Sequence, residues 1–222
     1  MRYSFPNSAF RLGFLYALLA GCTVKSNPDS LQGYSQKSVR LSNGLGIVSV
    51  YLPAALDTFY TAVNYGEYHC AEVKLHRFAS RKYDCCLSTN SDFQYSDLSD
   101  SIYQFTIIQT FNPDCEEYIT VNAGLMNTIM EYYKSLDAKA SAQRKFYLKD
   151  INGKHFIISE LSMKIDSLQL NELDGFTDAN GRLVKFIYKC YCRNPGDFIG
   201  QMTESLKTIN IVPEGQPPVN TN

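Results

Sequence analysis

The residues of this 222-residue chain whose types and spacing could do chemistry are its seven cysteines, its three histidines and a few paired carboxylates. Six cysteines, Cys70, Cys85, Cys86, Cys115, Cys190 and Cys192, form an even set that an oxidising compartment would pair, and the sequence alone does not say how. Cys190 and Cys192 stand two residues apart. On a strand they share a face with Val184, Phe186 and Tyr188 and turn toward a core, whereas the adjacent Cys85 and Cys86 point to opposite faces. A zinc site would have to combine Cys190, Cys192, one of Cys85 or Cys86, and His69 or Cys70. No Cys-x-x-Cys or His-x-x-x-His spacing supports it. The expectation is structural cysteine, paired or buried, with no metal and no cofactor.

Hydrolytic chemistry has little to work with. His69, His76 and His155 are the only imidazole bases, and no Gly-x-Ser-x-Gly elbow is present. His76 and His155 lie in alternating segments and read as sheet-surface histidines. Glu116 and Glu117 suit a helix start, where the helix dipole favours acids, and Asp97 and Asp100 fall in a Ser/Asp-rich loop. No glycine loop would cradle a phosphate, and Asp174 to Gly181 lacks the spacing of a calcium-binding loop. The 16 tyrosines and 13 phenylalanines sit where a core would want them. The expectation is therefore no catalytic residue; a small hydrolase or thiol-dependent enzyme with a pocket between sheet and helices is the alternative.

The elements that would position these residues follow from hydrophobic period. Leu45 to Leu52 alternates as a strand, and Pro53 then opens a short helix with Leu56, Phe59, Tyr60 and Val63 on one face. Residues 70–79 and 102–111 read as strands. Asp114 with Glu117 makes a capping box for a long helix over about 115–136, striped by Ile119, Ala123, Met126, Met130 and Tyr133. Asn152-Gly153 and Asn180-Gly181 each mark a two-residue hairpin turn, because both residue types tolerate positive φ. Asn194-Pro195 caps a last helix with Phe198, Ile199, Met202 and Leu206 on its apolar face, and Ile209 and Ile211 suggest a closing strand. Hairpins exclude a purely parallel sheet. The fold class is α+β, an antiparallel sheet with amphipathic helices packed on it. One domain spans 39–212, after a flexible tether at 22–38 and before a disordered Pro-rich tail at 213–222.

Gly46 to Pro53 running into a helix, the two Asn-Gly hairpins and the Phe198-x-x-x-Met202-x-x-x-Leu206-x-x-Ile209 ending resemble the PsbP-like fold of DcrB-type bacterial lipoproteins, an α/β/α sandwich. The likeness covers about 40–212, implies an assembly or interaction module, and brings no catalytic residues.

Composition limits the partners. Lys and Arg number 21 against 22 Asp and Glu, a net charge of −1, which excludes the concentrated positive charge of a nucleic-acid binder. With 45% hydrophobic and 19% charged residues the chain is not a disordered one. The first 21 residues read as a leader: Arg2 and Arg11 precede a short apolar run from Leu12 to Ala20. The leader ends in Leu19-Ala20-Gly21-Cys22, which resembles the lipobox of bacterial lipoproteins. That resemblance implies cleavage before Cys22, recognition through Leu19, Ala20 and Gly21, and acylation of Cys22. It further implies attachment to a membrane, most naturally the outer membrane of a bacterial envelope, where another envelope protein would be the partner. Asp29-Ser30-Leu31, Asp100-Ser101-Ile102 and Asp166-Ser167-Leu168 look like the Asp-Ser-apolar O-glycosylation sites of some envelope bacteria.

Overall fold

A computed structural model describes residues 31–65, 72–80, 102–110, 118–137, 144–165, 168–193 and 195–214. The described residues form ten strands and two helices, and every strand pair is antiparallel. Strands β1 (Tyr34–Arg40), β2 (Ile47–Pro53) and the short β10 (Asn210–Val212) make a three-stranded sheet in the order β1-β2-β10. Strands β3 (Thr58–Tyr65), β4 (Glu72–Ala79), β5 (Ile102–Thr110), β6 (Arg144–Ile151), β7 (Lys154–Ile165), β8 (Leu168–Ala179) and β9 (Arg182–Cys192) make a seven-stranded sheet ordered β3-β4-β5-β9-β8-β7-β6. Helix α1 is Ala123–Asp137 and helix α2 is Phe198–Lys207.

The large sheet has two differently furnished faces. One carries Phe78, Phe105, Ile107, Phe156, Ile158, Leu173, Val184, Phe186, Tyr188 and Cys190, all buried. It packs against Phe198, Met202 and Leu206 of α2 and against Val48, Val50 and Leu52 of the small sheet. Gly175 allows the close approach of α2, since a Cβ there would stand 2.9 Å from the Leu206 Cδ1. Tyr188 hydroxyl and Ser205 Oγ meet at 3.1 Å inside this core, and Ser205 in turn donates to the Tyr51 carbonyl. The opposite face receives α1, whose Leu125, Met126, Ile129 and Tyr133 pack on Phe146, Ile157, Phe176 and Leu183. The α+β arrangement of antiparallel sheet with amphipathic helices is thus present, with strand predominating over helix.

Both hairpin turns are where the sequence places them. Asn152 and Gly153 have φ of 49° and 77°, and Asn180 and Gly181 have 53° and 76°, the paired positive values of a type I′ turn. They fix register: Ala179 faces Arg182 and Ile151 faces Lys154, and all further pairing follows.

Four expectations need correction. The helix expected after Pro53 is strand β3: Pro53 ends β2, Leu56 donates back to the Pro53 carbonyl in a turn, and Thr58, Phe59, Thr61 and Val63 are β-branched or aromatic residues that pair with β4. The tether expected through residue 38 gives way to β1 at Tyr34, because Ser35, Lys37 and Val39 join a ladder with β2. Helix α1 begins at Ala123, not near residue 115. The Ile119 N–H is committed to the Gly181 carbonyl, and Asn122, not Asp114, supplies the cap through its side chain to the Leu125 N–H at 3.0 Å. Helix α2 is capped by Asp197, which accepts from the Gly200 N–H, three residues beyond Asn194. At the start of the expected tail, Glu214 pairs with Arg40 at 2.9 Å.

Gly46 is the tightest backbone position. Its φ is +112°, and a Cβ would lie 2.2 Å from the Val212 carbonyl oxygen, a backbone atom that cannot swing away. Gly46→Ala is expected to destabilise the domain by about 2–3 kcal/mol through strain and loss of the β2–β10 junction, read as a lower urea midpoint.

Candidate functional site

Beneath α1, six ionisable side chains and a tyrosine converge on the helix-bearing face of the large sheet. The Asn180-Gly181 turn puts Glu172 of β8 opposite Lys189 of β9, and the next acid along β8, Asp174, opposite Ile187 and beside Ser159 of β7. Arg144 reaches in from the start of β6. Its Nε donates to Asp137 Oδ2 at 2.9 Å, and its Nη1 donates to Glu172 Oε1 at 2.9 Å and to Ser159 Oγ at 3.0 Å. The same Nη1 lies 3.6 Å from Asp174 Oδ2. Lys185 Nζ is 3.0 Å from Asp174 Oδ2, and Lys189 Nζ is 3.7 Å from Glu172 Oε2. Tyr133 of α1 donates its hydroxyl to Asp174 Oδ2 at 2.8 Å and accepts from Lys185, while the Arg144 guanidinium stacks 4.1 Å from its ring centroid.

Three cations (Arg144, Lys185, Lys189) thus meet three anions (Asp137, Glu172, Asp174), and the cluster is neutral as a whole. It is also sealed. The Arg144 side chain is 6% exposed and that of Asp174 is 0%, with Lys185 and Lys189 forming a half-buried rim. Burial, and then the neighbouring Glu172 carboxylate, push Asp174 up to about 6 despite its two cations. Its Oδ1 has no hydrogen-bond partner among the described residues, which fits a carboxyl that retains a proton readily. Burial also lifts Glu172, but Lys189, Arg144 and Lys185 together outweigh it and hold that carboxyl below its ordinary range. Burial and the two acids push the Tyr133 hydroxyl well up, so it stays a donor. The arrangement can exchange a proton at Asp174 and can lock α1 to the sheet. Its central carboxylate is out of reach of a substrate.

Of the residues singled out in the sequence, Leu19, Ala20, Gly21 and Cys22 lie outside the described residues. So do His69, Cys70, Cys85, Cys86, Asp97, Asp100, Cys115, Glu116 and Glu117, and of the Asp-Ser tripeptides only Leu31, Ile102 and Leu168 are described. Cys190 and Cys192 do share the core face of β9, with their sulfurs 2.6 Å apart, Cys190 buried and Cys192 half-buried. His155 is a surface histidine beside Asp150 at the β6–β7 turn, both side chains more than 70% exposed. His76 is not. Only 4% exposed, it faces inward with Phe78, Nδ1 lying 3.3 Å from Thr61 Oγ1 and its ring parallel to Phe59. The inward face of β4 is the one carrying His76 and Phe78, because Phe78 must pack on Phe105. Burial and the Lys74 charge hold His76 down at about 4, so it is neutral. His76 and His155 sit on strands four places apart, roughly 19 Å at about 4.8 Å per strand, and do not converge.

The charge cluster escaped the sequence reading, although a signal was there. Glu172 and Asp174 alternate with apolar residues on one strand, Lys185 and Lys189 do so on the next, and the Asn-Gly turn between them sets the acids beside the bases.

No known protein family and no curated protein matches this chain. Among solved structures it is similar to cyanobacterial PsbP (CyanoP) from Synechocystis sp. PCC 6803, with 11% identity, a TM-score of 0.44, and 80% of this chain and 93% of that one covered. It is also similar to a protein of unknown function, PA94 from Pseudomonas aeruginosa, with 10% identity, a TM-score of 0.33, and coverage of 80% and 98%.

Proposed function

We propose that this chain is a lipid-anchored bacterial envelope protein of the non-enzymatic binding or scaffold type, with a PsbP-like α/β/α domain held to the membrane by acylated Cys22. The observation that carries the reading is Leu19-Ala20-Gly21-Cys22 directly after a short apolar run. Several acyl chains at ~0.8 kcal/mol per buried CH₂ hold a domain of this size on a membrane without any spanning segment. The domain's interior supports a scaffold role. Its densest set of ionisable groups, among the described residues, is neutral, buried and spent on holding α1. Surface for a partner is available on β3, where Phe59 and Val63 share a face and are 50% and 39% exposed.

Cell fractionation tests the anchor. The wild-type protein is expected to sediment with membranes and to enter the detergent phase, and Cys22→Ala to appear in the soluble fraction. A variant that still partitions with membranes, or a purified native product beginning at unmodified Met1, refutes acylation at Cys22.

A further inference from the structure

We propose that Cys190 and Cys192 form a reversible disulfide within strand β9, oxidised by a small-molecule or protein disulfide and reopened by thiols. The alternation of a strand puts both side chains on one face, and their sulfurs already stand 2.6 Å apart. A rise of about 3.3 Å per residue sets the two Cα atoms about 6.6 Å apart, at the wide end of the roughly 4.4–6.8 Å that disulfides bridge. Such a link forms only where the backbone can yield slightly, and once formed it is easily reduced.

The end of β9 provides that freedom. Cys192 is the last residue of β9, opposite Gln169 of β8, and the chain leaves the sheet directly after it. Cys190, by contrast, is clamped. It lies opposite Tyr103 of β5, whose ring meets Phe198 of α2 edge-on at 5.8 Å, and it is 4% exposed. Burial, and then the adjacent Cys192, push the Cys190 thiol up, which leaves the more exposed Cys192 to open the exchange.

The steps balance with a disulfide donor as oxidant. Cys192 Sγ attacks one donor sulfur; the donor S–S bond breaks, a mixed disulfide forms, and the departing thiolate takes up the Cys192 proton. Cys190 Sγ then attacks Cys192 Sγ, the mixed disulfide breaks, and the second donor thiolate leaves with the Cys190 proton. Two protein thiols are oxidised and one donor disulfide becomes two thiols. The chemistry needs only this fold and is independent of the lipid anchor.

The sequence makes the test direct. Lys189 and Arg193 flank the pair, so trypsin releases residues 190–193 as a tetrapeptide carrying both cysteines and no other. The purified full chain is equilibrated in glutathione buffers from fully reduced to fully oxidised, alkylated, digested and weighed. In excess oxidised glutathione most of the tetrapeptide is expected two hydrogens lighter and unalkylated; excess reduced glutathione returns it to the doubly alkylated form. Cys190→Ser is expected to accumulate a lasting glutathione adduct on Cys192, whereas Cys192→Ser leaves the buried Cys190 unmodified. A tetrapeptide that stays doubly alkylated at every ratio overturns the proposal. So does one found cross-linked to a peptide bearing Cys70, Cys85, Cys86 or Cys115.

Discussion

Replacing Arg144 with methionine is expected to destabilise the domain by about 3–5 kcal/mol, enough to leave a marginally stable fold partly unfolded at room temperature. The size follows from what the guanidinium does. It is 6% exposed, donates to Asp137, Glu172 and Ser159, and stands beside Asp174. Methionine fills most of the volume but strands three carboxylates that have already left water. Lys185 and Lys189 answer two of them only in part, and Asp137 keeps no cation among the described contacts. Breaking a buried pair from one side costs far more than an exposed pair contributes, because the remaining charge keeps its desolvation penalty. Arg144→Lys is expected to fall between wild type and methionine: it keeps the charge but loses the planar fork that serves α1, β7 and β8 at once. Urea denaturation with an unchanged slope is the measurement. A methionine variant within about 1 kcal/mol of wild type means that the cluster is solvated and α1 is not held by it.

How much of this was legible in the sequence depends on the range of the interaction that decides each feature. The two hairpins were, because a type I′ turn is settled by two neighbouring residues, and Asn-Gly at 152–153 and 180–181 supplies them. Cys190 and Cys192 sharing a face with Phe186 and Tyr188 followed from strand alternation alone. The stretch around Thr58 to Val63 misled because its apolar residues fit a helical stripe as well as an alternating strand; pairing with β4, a tertiary fact, decided it. His76 misled differently. Lys74 and His76 looked like the wet side of β4, yet Phe78, two residues beyond His76, forces His76 to the side that meets Phe105. The charge cluster needed both the Asn180-Gly181 register and the knowledge that α1 covers that face, and only the first is written locally. Arg144 and Tyr133 are separated from Asp174 by 30 and 41 positions, which no local pattern spans.

Asp174 and His76 are expected to impose opposite pH slopes on stability, so that removing either one exposes the other. Asp174 moves from an ordinary 3.8 to about 6 on folding. The folded carboxyl binds its proton more tightly than the unfolded one, and its contribution is complete below about pH 3.8 and lost as pH rises through about 6. His76 moves from 6.5 down to about 4. The folded imidazole sheds its proton more readily, and its contribution is complete above about pH 6.5 and lost as pH falls through about 4. Each shift exceeds two units, so each is worth about 3 kcal/mol, and the windows overlap almost entirely. Wild-type stability is therefore expected to stay nearly level across pH 4.5 to 6.5 as far as these two groups decide it. Glu172, held below its ordinary 4.5, adds a loss only on the acid side of that range. Asp174→Asn keeps a group that Tyr133 can still donate to and leaves His76 in command, so its stability should climb by about 3 kcal/mol from pH 4 to 6.5. His76→Gln keeps a partner for Thr61 and leaves Asp174 in command, so its stability should fall by a similar amount over the same range. Urea midpoints of the three proteins at several pH values give the comparison. Slopes of the same sign in the two variants would mean that these buried groups do not carry their protons as assigned. Opposite slopes around a flat wild type would place a proton on each side of the large sheet's core, one gained and one lost as the chain folds.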